Sequence, residues 1–218
     1  MSKKAYIGIG MNGLIAKWYT KLVAKDYEQY RELATRLQKI LTGKKTILEV
    51  APGPGFLSIE LAKEPNFEVT GMDISDTFVQ IANRKAKEKR VGAKFIVGNV
   101  SEMPFKEEQF DFIVCRAAFK NFTKPFEAIQ EMFRVLKPGG KALIVDMRSD
   151  ISDASIDSYV NQMDISKWNK LITTWSFKCM LRKRAYSLEQ IKQLGNVSKF
   201  KDYRVDLSPT GFELWLEK

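Results

Sequence analysis

Histidine is missing from the sequence altogether. That absence removes imidazole acid–base catalysis, the Ser-His-Asp triad and the commonest zinc ligand together. Chemistry here must draw on carboxylates, amines, phenols or a cofactor that brings its own reactivity. Cysteine is almost as scarce. Cys115 and Cys179 are the only two, too few for a disulfide framework or a cysteine metal cluster, and no metal site is expected. Long apolar runs are lacking too: none approaches the roughly 20 residues that span a bilayer. The opening stretch MSKKAYIGIGMNG shows neither a sustained apolar segment nor a small-residue cleavage site, so no leader is read there. A cytoplasmic protein without a membrane span is the expectation.

Charge, in contrast, is present in excess of one sign. The net charge is +10, and residues 1–46 hold ten Lys/Arg against three Asp/Glu, whereas 47–148 hold fifteen against fourteen and 149–218 eleven against nine. A basic N-terminal segment attracts nucleic acid or an acidic membrane surface, or it is simply a solvated helix face. With 218 residues, 44% hydrophobic and 28% charged, the chain suits one domain with a sizeable core.

Along the chain, residues 12–41 have helical spacing. Leu14, Ile15, Trp18, Leu22 and Val23 form one stripe, and Leu33, Leu37, Ile40 and Leu41 another, with Gly43 placed to cap the second helix. From residue 46 short apolar strands alternate with helices. The strands are TILEV, FEVTGMDIS, AKFIVGNV, FDFIVCRAAF and KALIVDM; PFEAIQEMFRVLKPGG reads as a helix with a Pro-Gly-Gly stop before the last of them. This alternation predicts a mostly parallel sheet covered on both faces. Residues 149–185 carry no strand signal. Ser187 and Gln190 then make a capping box, and FKDYRVDLS and GFELWLEK suggest a closing antiparallel hairpin. The organisation expected is a single α/β, Rossmann-like three-layer domain over 1–218, with a seven-stranded sheet. Within it lie an N-terminal helical cap (1–43), a cofactor-binding core (44–148), a helical lid or substrate inset (149–186) and a final helix and hairpin (187–218).

The stretch ILEVAPGPGFL, residues 47–57, ends a strand in a turn almost bare of side chains. Ligands of open α/β sheets bind beyond the carboxyl ends of the strands. Gly53 and Gly55 there would let a ligand approach the backbone, next to the free N–H groups of a helix start. A turn that merely reverses the chain is the simpler account. Asp73 ends the second strand eighteen residues beyond Gly55, where a carboxylate can accept from both hydroxyls of a ribose; a helix N-cap would use it equally well, although Ser75 and Asp76 stand ready for that task. After the third strand, Asn99 and the Val100 backbone are placed to meet an adenine edge.

The ordered set LEVAPGPG, GMDIS, GNVSEMPF, FDFIVCRAAF and EMFRVLKPGGKALIVDM resembles the class I S-adenosylmethionine-dependent methyltransferases, and within them the small-molecule branch of ubiquinone and menaquinone biosynthesis. The likeness runs from about residue 44 to 148. It implies S-adenosylmethionine as cofactor and S-adenosylhomocysteine as product. It further implies that Glu49 and the turn of Ala51, Gly53 and Gly55 hold the methionine part. Asp73 takes the ribose hydroxyls, Ile74 packs near the adenine, Asn99 and Val100 contact its edge, and Arg116 and Ala117 line the route to the acceptor. Two positions depart from the family pattern. Ala51 stands where the first glycine of the turn is usual, acceptable if its φ is negative. Asn99 stands where aspartate is more frequent, still offering a carbonyl acceptor.

A dinucleotide oxidoreductase would require a third glycine at position 58, which is Ser58. The methyltransferase reading predicts direct in-line transfer to an O, N or C nucleophile of a small molecule, with acidic and aromatic acceptors among the options. Asp146, Arg116 and Tyr19 are the candidate catalytic groups, Asp146 alternatively pairing with Arg148. Trp18, Tyr19, Asn121, Trp175 and Arg182 are the candidate substrate contacts, the last two in an aromatic and basic inset that is otherwise an amphipathic helix. Methylation of RNA or of a protein, or a non-catalytic binding protein keeping the fold, are the alternatives. Nucleic acid is not the expected partner, since neither a base-amine motif nor a Pro-Cys nucleophile is present. Monomer and homodimer stay open.

Overall fold

The computed structural model describes Tyr6, residues 10–163 and residues 165–218. The reading of the extreme N-terminus, residues 1–5 and 7–9, lies outside the described residues. Two helices, α1 (Gly13–Val23) and α2 (Tyr27–Ile40), precede β1 (Lys45–Val50) and α3 (Phe56–Leu61). Next come β2 (Phe67–Asp73), α4 (Asp76–Lys89), β3 (Lys94–Val97), β4 (Phe110–Arg116), α5 (Pro125–Val135) and β5 (Leu136–Met147). The inset holds α6 (Asp153–Gln162), α7 (Lys167–Ser176), a π turn (Phe177–Leu181) and α8 (Arg182–Arg184). The chain closes with α9 (Leu188–Val197), β6 (Asp202–Leu207) and β7 (Gly211–Glu217).

The strands form one seven-stranded sheet in the order β3-β2-β1-β4-β5-β7-β6. Strands β1 to β5 pair in parallel, and β7 is antiparallel to both β5 and β6. The central strands are apolar on both sides because each face is covered. Alternation sends Leu48, Ile113 and Cys115 into a core beneath α5 and α9, and Ile47, Phe112 and Val114 into a second core beneath α2, α3 and α4. The strand order reverses between β1 and β4, the place where α/β sheets open a crevice for ligands.

Three local expectations are corrected. First, LKPGG is not a helix stop but part of β5. Leu136 pairs with Phe110, the register then slips until Lys141 faces Phe112, and the looped-out residues are held by Gly139 N–H to the Lys218 carbonyl and Lys218 N–H to the Gly140 carbonyl. The helix ends earlier because the residue before a proline disfavours helical backbone, and Lys218 supplies the missing partners. Second, Gly43 does not cap α2. Leu41 does, its N–H bonded to the Leu37 carbonyl, and Gly43 turns the chain beyond it with φ +74°. Third, Ala51 has φ +54°, not a negative one: it occupies the left-handed region its glycine counterpart would take, at a cost of about 1 kcal/mol. Its N–H accordingly reaches across to the Met72 carbonyl, 2.8 Å away. The helix expected from the α1 spacing forms, with its stripe facing outward. Leu14, Ile15, Trp18 and Leu22 are exposed, and only Ala16 of that helix is buried.

Candidate functional site

At the strand-order reversal, the ends of β1, β2 and β4 border a cavity of about 500 Å³. Its floor is the turn after β1. Gly53 takes φ +54° and Gly55 φ +78°, but the two glycines serve different purposes. A Cβ on Gly55 would fall 2.7 Å from Phe95 Cζ and 2.8 Å from Ala82 Cβ, so that glycine lets the turn seat against α4 and β3. A Cβ on Gly53 would meet nothing within 4 Å. Its place is fixed by backbone conformation, and it keeps the cavity floor bare.

Two buried carboxylates border this floor. Asp73 accepts from Gly53 N–H at 2.9 Å through Oδ2 and from Ser75 N–H at 2.8 Å through Oδ1. Burial pushes its pKa up, and the N–H groups of Ser75, Gly53 and Ile74 oppose that shift. Ser75, not Asp73, caps α4, accepting the Phe78 N–H, so the aspartate is left to organise the turn and face the cavity. Glu49 accepts the Ser58 N–H at 2.8 Å and the Ser58 hydroxyl. Burial pushes its pKa up to about 7, against the pull of the Ser58 bonds and the Arg116 charge. Desolvation in so closed a place favours the neutral acid.

The remaining wall is aromatic. Tyr6, Tyr19, Tyr30, Phe78 and Phe122 line it, together with Met11, Asn12, Ile74, Asn99, Val100, Arg116, Ala117 and Asn121. The Arg116 guanidinium lies 4.1 Å over the Tyr30 ring and donates to Gln29 Oε1 at 2.8 Å, which fixes the cation by stacking and hydrogen bonding together. Tyr19 meets Phe78 edge-on, centroids 5.9 Å apart. The segment before α1 is pinned to the start of α4: Ser75 Oγ lies 2.5 Å from the Met11 carbonyl and 2.8 Å from Asn12 Oδ1, and Gly13 N–H donates to Thr77. Ile74 projects from the β2 end, half-exposed, while Asn99 Oδ1 takes the Ser101 N–H at 3.1 Å and turns its chain around Val100.

The structure thus brings together Glu49, Ala51, Gly53, Asp73, Ile74, Asn99, Val100, Arg116, Tyr19 and Asn121, with Gly55 packed just behind the floor. It does not bring in Asp146, Trp18, Trp175 or Arg182. Asp146 is buried behind the site, where Lys120 Nζ and the Lys120 and Met147 N–H groups occupy it at 2.8–3.0 Å. Its partner is Lys120, while Arg148 pairs with Asp150. Trp18 and Trp175 point to solvent, and Arg182 is tied to Asp153 at 2.6 Å within the inset. Sequence reading missed Tyr6, Tyr30, Phe78 and Phe122. Tyr6 lies in a stretch weighed only as a leader, Tyr30 in one weighed only for apolar spacing, and Phe78 in a helix between strands where its position carries no separate signal. No cluster of three or more metal-ligating side chains occurs among the described residues.

A bare turn, a carboxylate at the end of the second strand, an aliphatic side chain and an amide thus line one crevice. Residues 48–144 match the sequence pattern of the family described as a methyltransferase domain. The demethylmenaquinone methyltransferase of Deinococcus radiodurans is 30% identical over 114 residues, 52% of this chain and 47% of that one. Its counterpart in Listeria welshimeri is 31% identical over 125 residues, 56% and 52% of the two chains. The chain therefore spans about half the length of the curated relatives it matches. Among solved structures, a Methanococcus maripaludis protein provisionally described as an S-adenosyl-L-methionine-dependent methyltransferase superposes with TM-score 0.75 at 20% identity, covering 100% of this chain and 97% of the other. The [4+2]-cyclase SpnF gives TM-score 0.66 at 18% identity over 86% and 80%, so the architecture by itself fixes the fold and not the reaction. Residues 48–144 thus resemble the methyltransferase-domain family and the enzymes of quinone biosynthesis, and the whole chain shares the fold of the Methanococcus maripaludis structure.

Proposed function

We propose that the protein transfers a methyl group from S-adenosylmethionine to a small-molecule acceptor held against the aromatic wall. The observation that carries this reading is the pair of buried carboxylates beside the open Gly53 turn at the strand-order reversal. The donor set fits the cofactor: carboxylates for hydroxyls and an ammonium, an amide for a base edge, and a cavity within the usual ~300–1,000 Å³ for such ligands. Asp73 would take the ribose hydroxyls with the lone pairs that the Gly53 and Ser75 amides leave. Ile74 would cover one face of the adenine, Asn99 and Val100 would meet its edge, and Glu49 would attract the amino group of the methionine part. The sulfonium supplies an electrophilic methyl, so the protein need not build a reactive centre.

The chain's own task is then alignment and exclusion of water. Tyr6, Tyr19, Tyr30, Phe78 and Phe122 wall off solvent and offer flat contact area to an aromatic acceptor. Burial pushes the phenols of Tyr6, Tyr19 and Tyr30 up, so they donate hydrogen bonds and do not take protons at neutral pH. With Glu49 and Asp73 given to the cofactor, the remaining charged group of the described lining is Arg116. This arrangement suits an acceptor that arrives already nucleophilic, an anion or activated carbon, with Arg116 as counter-ion and Asn121 as a further polar contact. Trp18, Trp175 and Arg182 have no direct part in it. A walled cavity of this size also suits a small acceptor better than RNA or a protein side chain.

Calorimetric titration with S-adenosylmethionine and S-adenosylhomocysteine, with Asp73→Ala alongside, tests the reading. The native protein should bind both, and the variant about 100-fold more weakly, two charge-assisted hydrogen bonds having been lost. A folded native sample that binds neither would sink it.

A further inference from the structure

The inset helix α7 carries an apolar stripe that the fold leaves in solvent. Trp168, Leu171, Ile172 and Trp175 recur at three- and four-residue spacing and share one side of the helix. Their exposures lie between 51% and 69%, and α7 buries none of its residues. Helix α1 repeats the arrangement. Leu14, Ile15, Trp18 and Leu22 are exposed between 42% and 82%, while its other side seats Ala16 in the core and Tyr19 in the cavity wall. A surface helix of a globular protein ordinarily turns such a stripe inward, so two helices doing the reverse call for an external partner.

Both stripes belong to segments anchored at the same end of the sheet. Helix α1 starts where Asn12 and Gly13 meet Ser75 and Thr77, just past the carboxyl end of β2. The inset leaves β5 at Met147 and returns at Tyr186, whose ring lies 5.3 Å from that of Phe119. Helix α1 and the two ends of the inset that carries α7 are thus anchored at the carboxyl edge of the sheet.

Their charge has one sign. Lys17, Lys21 and Lys25 each follow a stripe residue (Leu14, Trp18, Leu22) by three positions and are exposed, and none forms a salt bridge among the described residues. On α7, Lys167 is exposed beside Trp168 whereas Lys170 turns away to donate to the Asn161 carbonyl at 2.6 Å, and neither α1 nor α7 contains an acidic residue. Tryptophans and aliphatics on one side with lysines beside them are the composition of helices that lie in a lipid interface. A second copy of the chain is the poorer occupant, because a two-fold contact would set these lysines against one another. No helix among the described residues is long and apolar enough to cross a membrane, so contact would be peripheral. We propose that α1 and α7 together form a docking surface for an anionic phospholipid bilayer, their Trp and aliphatic side chains entering the interface and their lysines meeting headgroup phosphates.

This goes beyond the methyl-transfer reading and does not depend on it. The full chain would be sedimented with vesicles of phosphatidylcholine alone and of phosphatidylcholine with phosphatidylglycerol, with tryptophan emission recorded in parallel. Binding to the anionic vesicles only, with a blue shift in emission and partial release by salt, is expected. The combined Trp18→Ser, Trp168→Ser and Trp175→Ser variant should lose at least about tenfold in partitioning, and Lys17→Glu with Lys21→Glu about fivefold or more per lysine at low salt. These side chains are exposed, so melting and S-adenosylmethionine affinity should be unchanged in both variants. Docking and cofactor binding therefore fail separately. No association with anionic vesicles, or association undiminished in the tryptophan variant, would overturn the proposal. So would light scattering that shows a dimer dissociated by the same tryptophan substitutions.

Discussion

Strand β4 and helix α7 each carry four large or apolar side chains in regular spacing, and they occupy opposite environments. In β4, Phe112, Ile113, Val114 and Cys115 are fully buried between helices on the two sheet faces. In α7, four large apolar side chains face solvent, and the helix touches the rest of the protein chiefly through α6 and the π turn. The difference teaches that apolar periodicity reports which residues act together, not which way they face. In the sheet, direction is forced: a parallel strand has neighbours on both sides and layers above and below. A surface helix has no such constraint. Its stripe can serve the core, a partner or a ligand, and α1 divides itself between core, cavity and solvent.

The largest effect that would sharpen this contrast is a truncation in each region. Phe112→Ala should lower unfolding free energy by about 3–5 kcal/mol in urea titration, since a fully buried aromatic ring leaves a cavity. Trp175→Ala should change it by less than about 0.5 kcal/mol. Similar losses at both positions would break the comparison, by showing that the inset is part of the cooperative core. Next in size is Gly55→Val. The added side chain would collide with Phe95 and Ala82 at a residue with φ +78°, so destabilisation of about 2 kcal/mol or more is expected. Thermal melting would read it, and cofactor affinity should fall with it.

A pH experiment separates the floor of the cavity from its surroundings. Glu49 has a folded pKa of about 7, raised from 4.5 by burial. Between those values the folded protein binds more protons at this group than the unfolded chain does. Its contribution to stability is therefore fully present below about pH 4.5 and is lost as pH rises through about 7. Glu49→Gln should flatten that part of the stability curve, seen as denaturant midpoints across the range. Binding of a cationic amino group would favour ionised Glu49, so affinity for S-adenosylmethionine should increase through pH 7 in the native protein and lose that dependence in the variant. The smallest effect expected is at Ala51. Its left-handed backbone costs about 1 kcal/mol that glycine would avoid, while glycine loosens the unfolded chain by about 0.4–1 kcal/mol. Ala51→Gly should leave stability unchanged or slightly raised, whereas glycine at an ordinary alanine would lower it.

Much of the core was legible before any coordinates. The strand–helix alternation from residue 46, the hairpin at the end and the capping box at Ser187 and Gln190 all appear in the structure, because each rests on short-range rules of periodicity, turn chemistry and capping. The candidate site was legible along the strands and not across them. Gly53, Asp73 and Asn99 were found because each stands at a strand end, and parallel pairing brings strand ends together. Tyr6, Tyr30 and Phe122 approach the cavity from the N-terminal segment, α2 and the turn after β4, and no spacing rule relates those places. Asp146 was misjudged for the same reason. Its strand-end position resembled that of Asp73, but Lys120 from the neighbouring turn encloses it in a buried ion pair.

Taken by itself, the sequence determined that this chain builds a parallel sheet with a bare first turn and a carboxylate closing the second strand, and that histidine chemistry has no place in it. Those properties follow from local backbone preference and residue type, which are written in neighbouring letters. Only the tertiary structure decided which aromatic side chains wall the cavity, that Ala51 adopts a left-handed backbone, that Lys120 takes Asp146 out of the site, and that the tryptophans of α1 and α7 face solvent. Each of those depends on how distant segments meet in three dimensions, where the direction of a helix face is set by the whole packing and not by its own spacing.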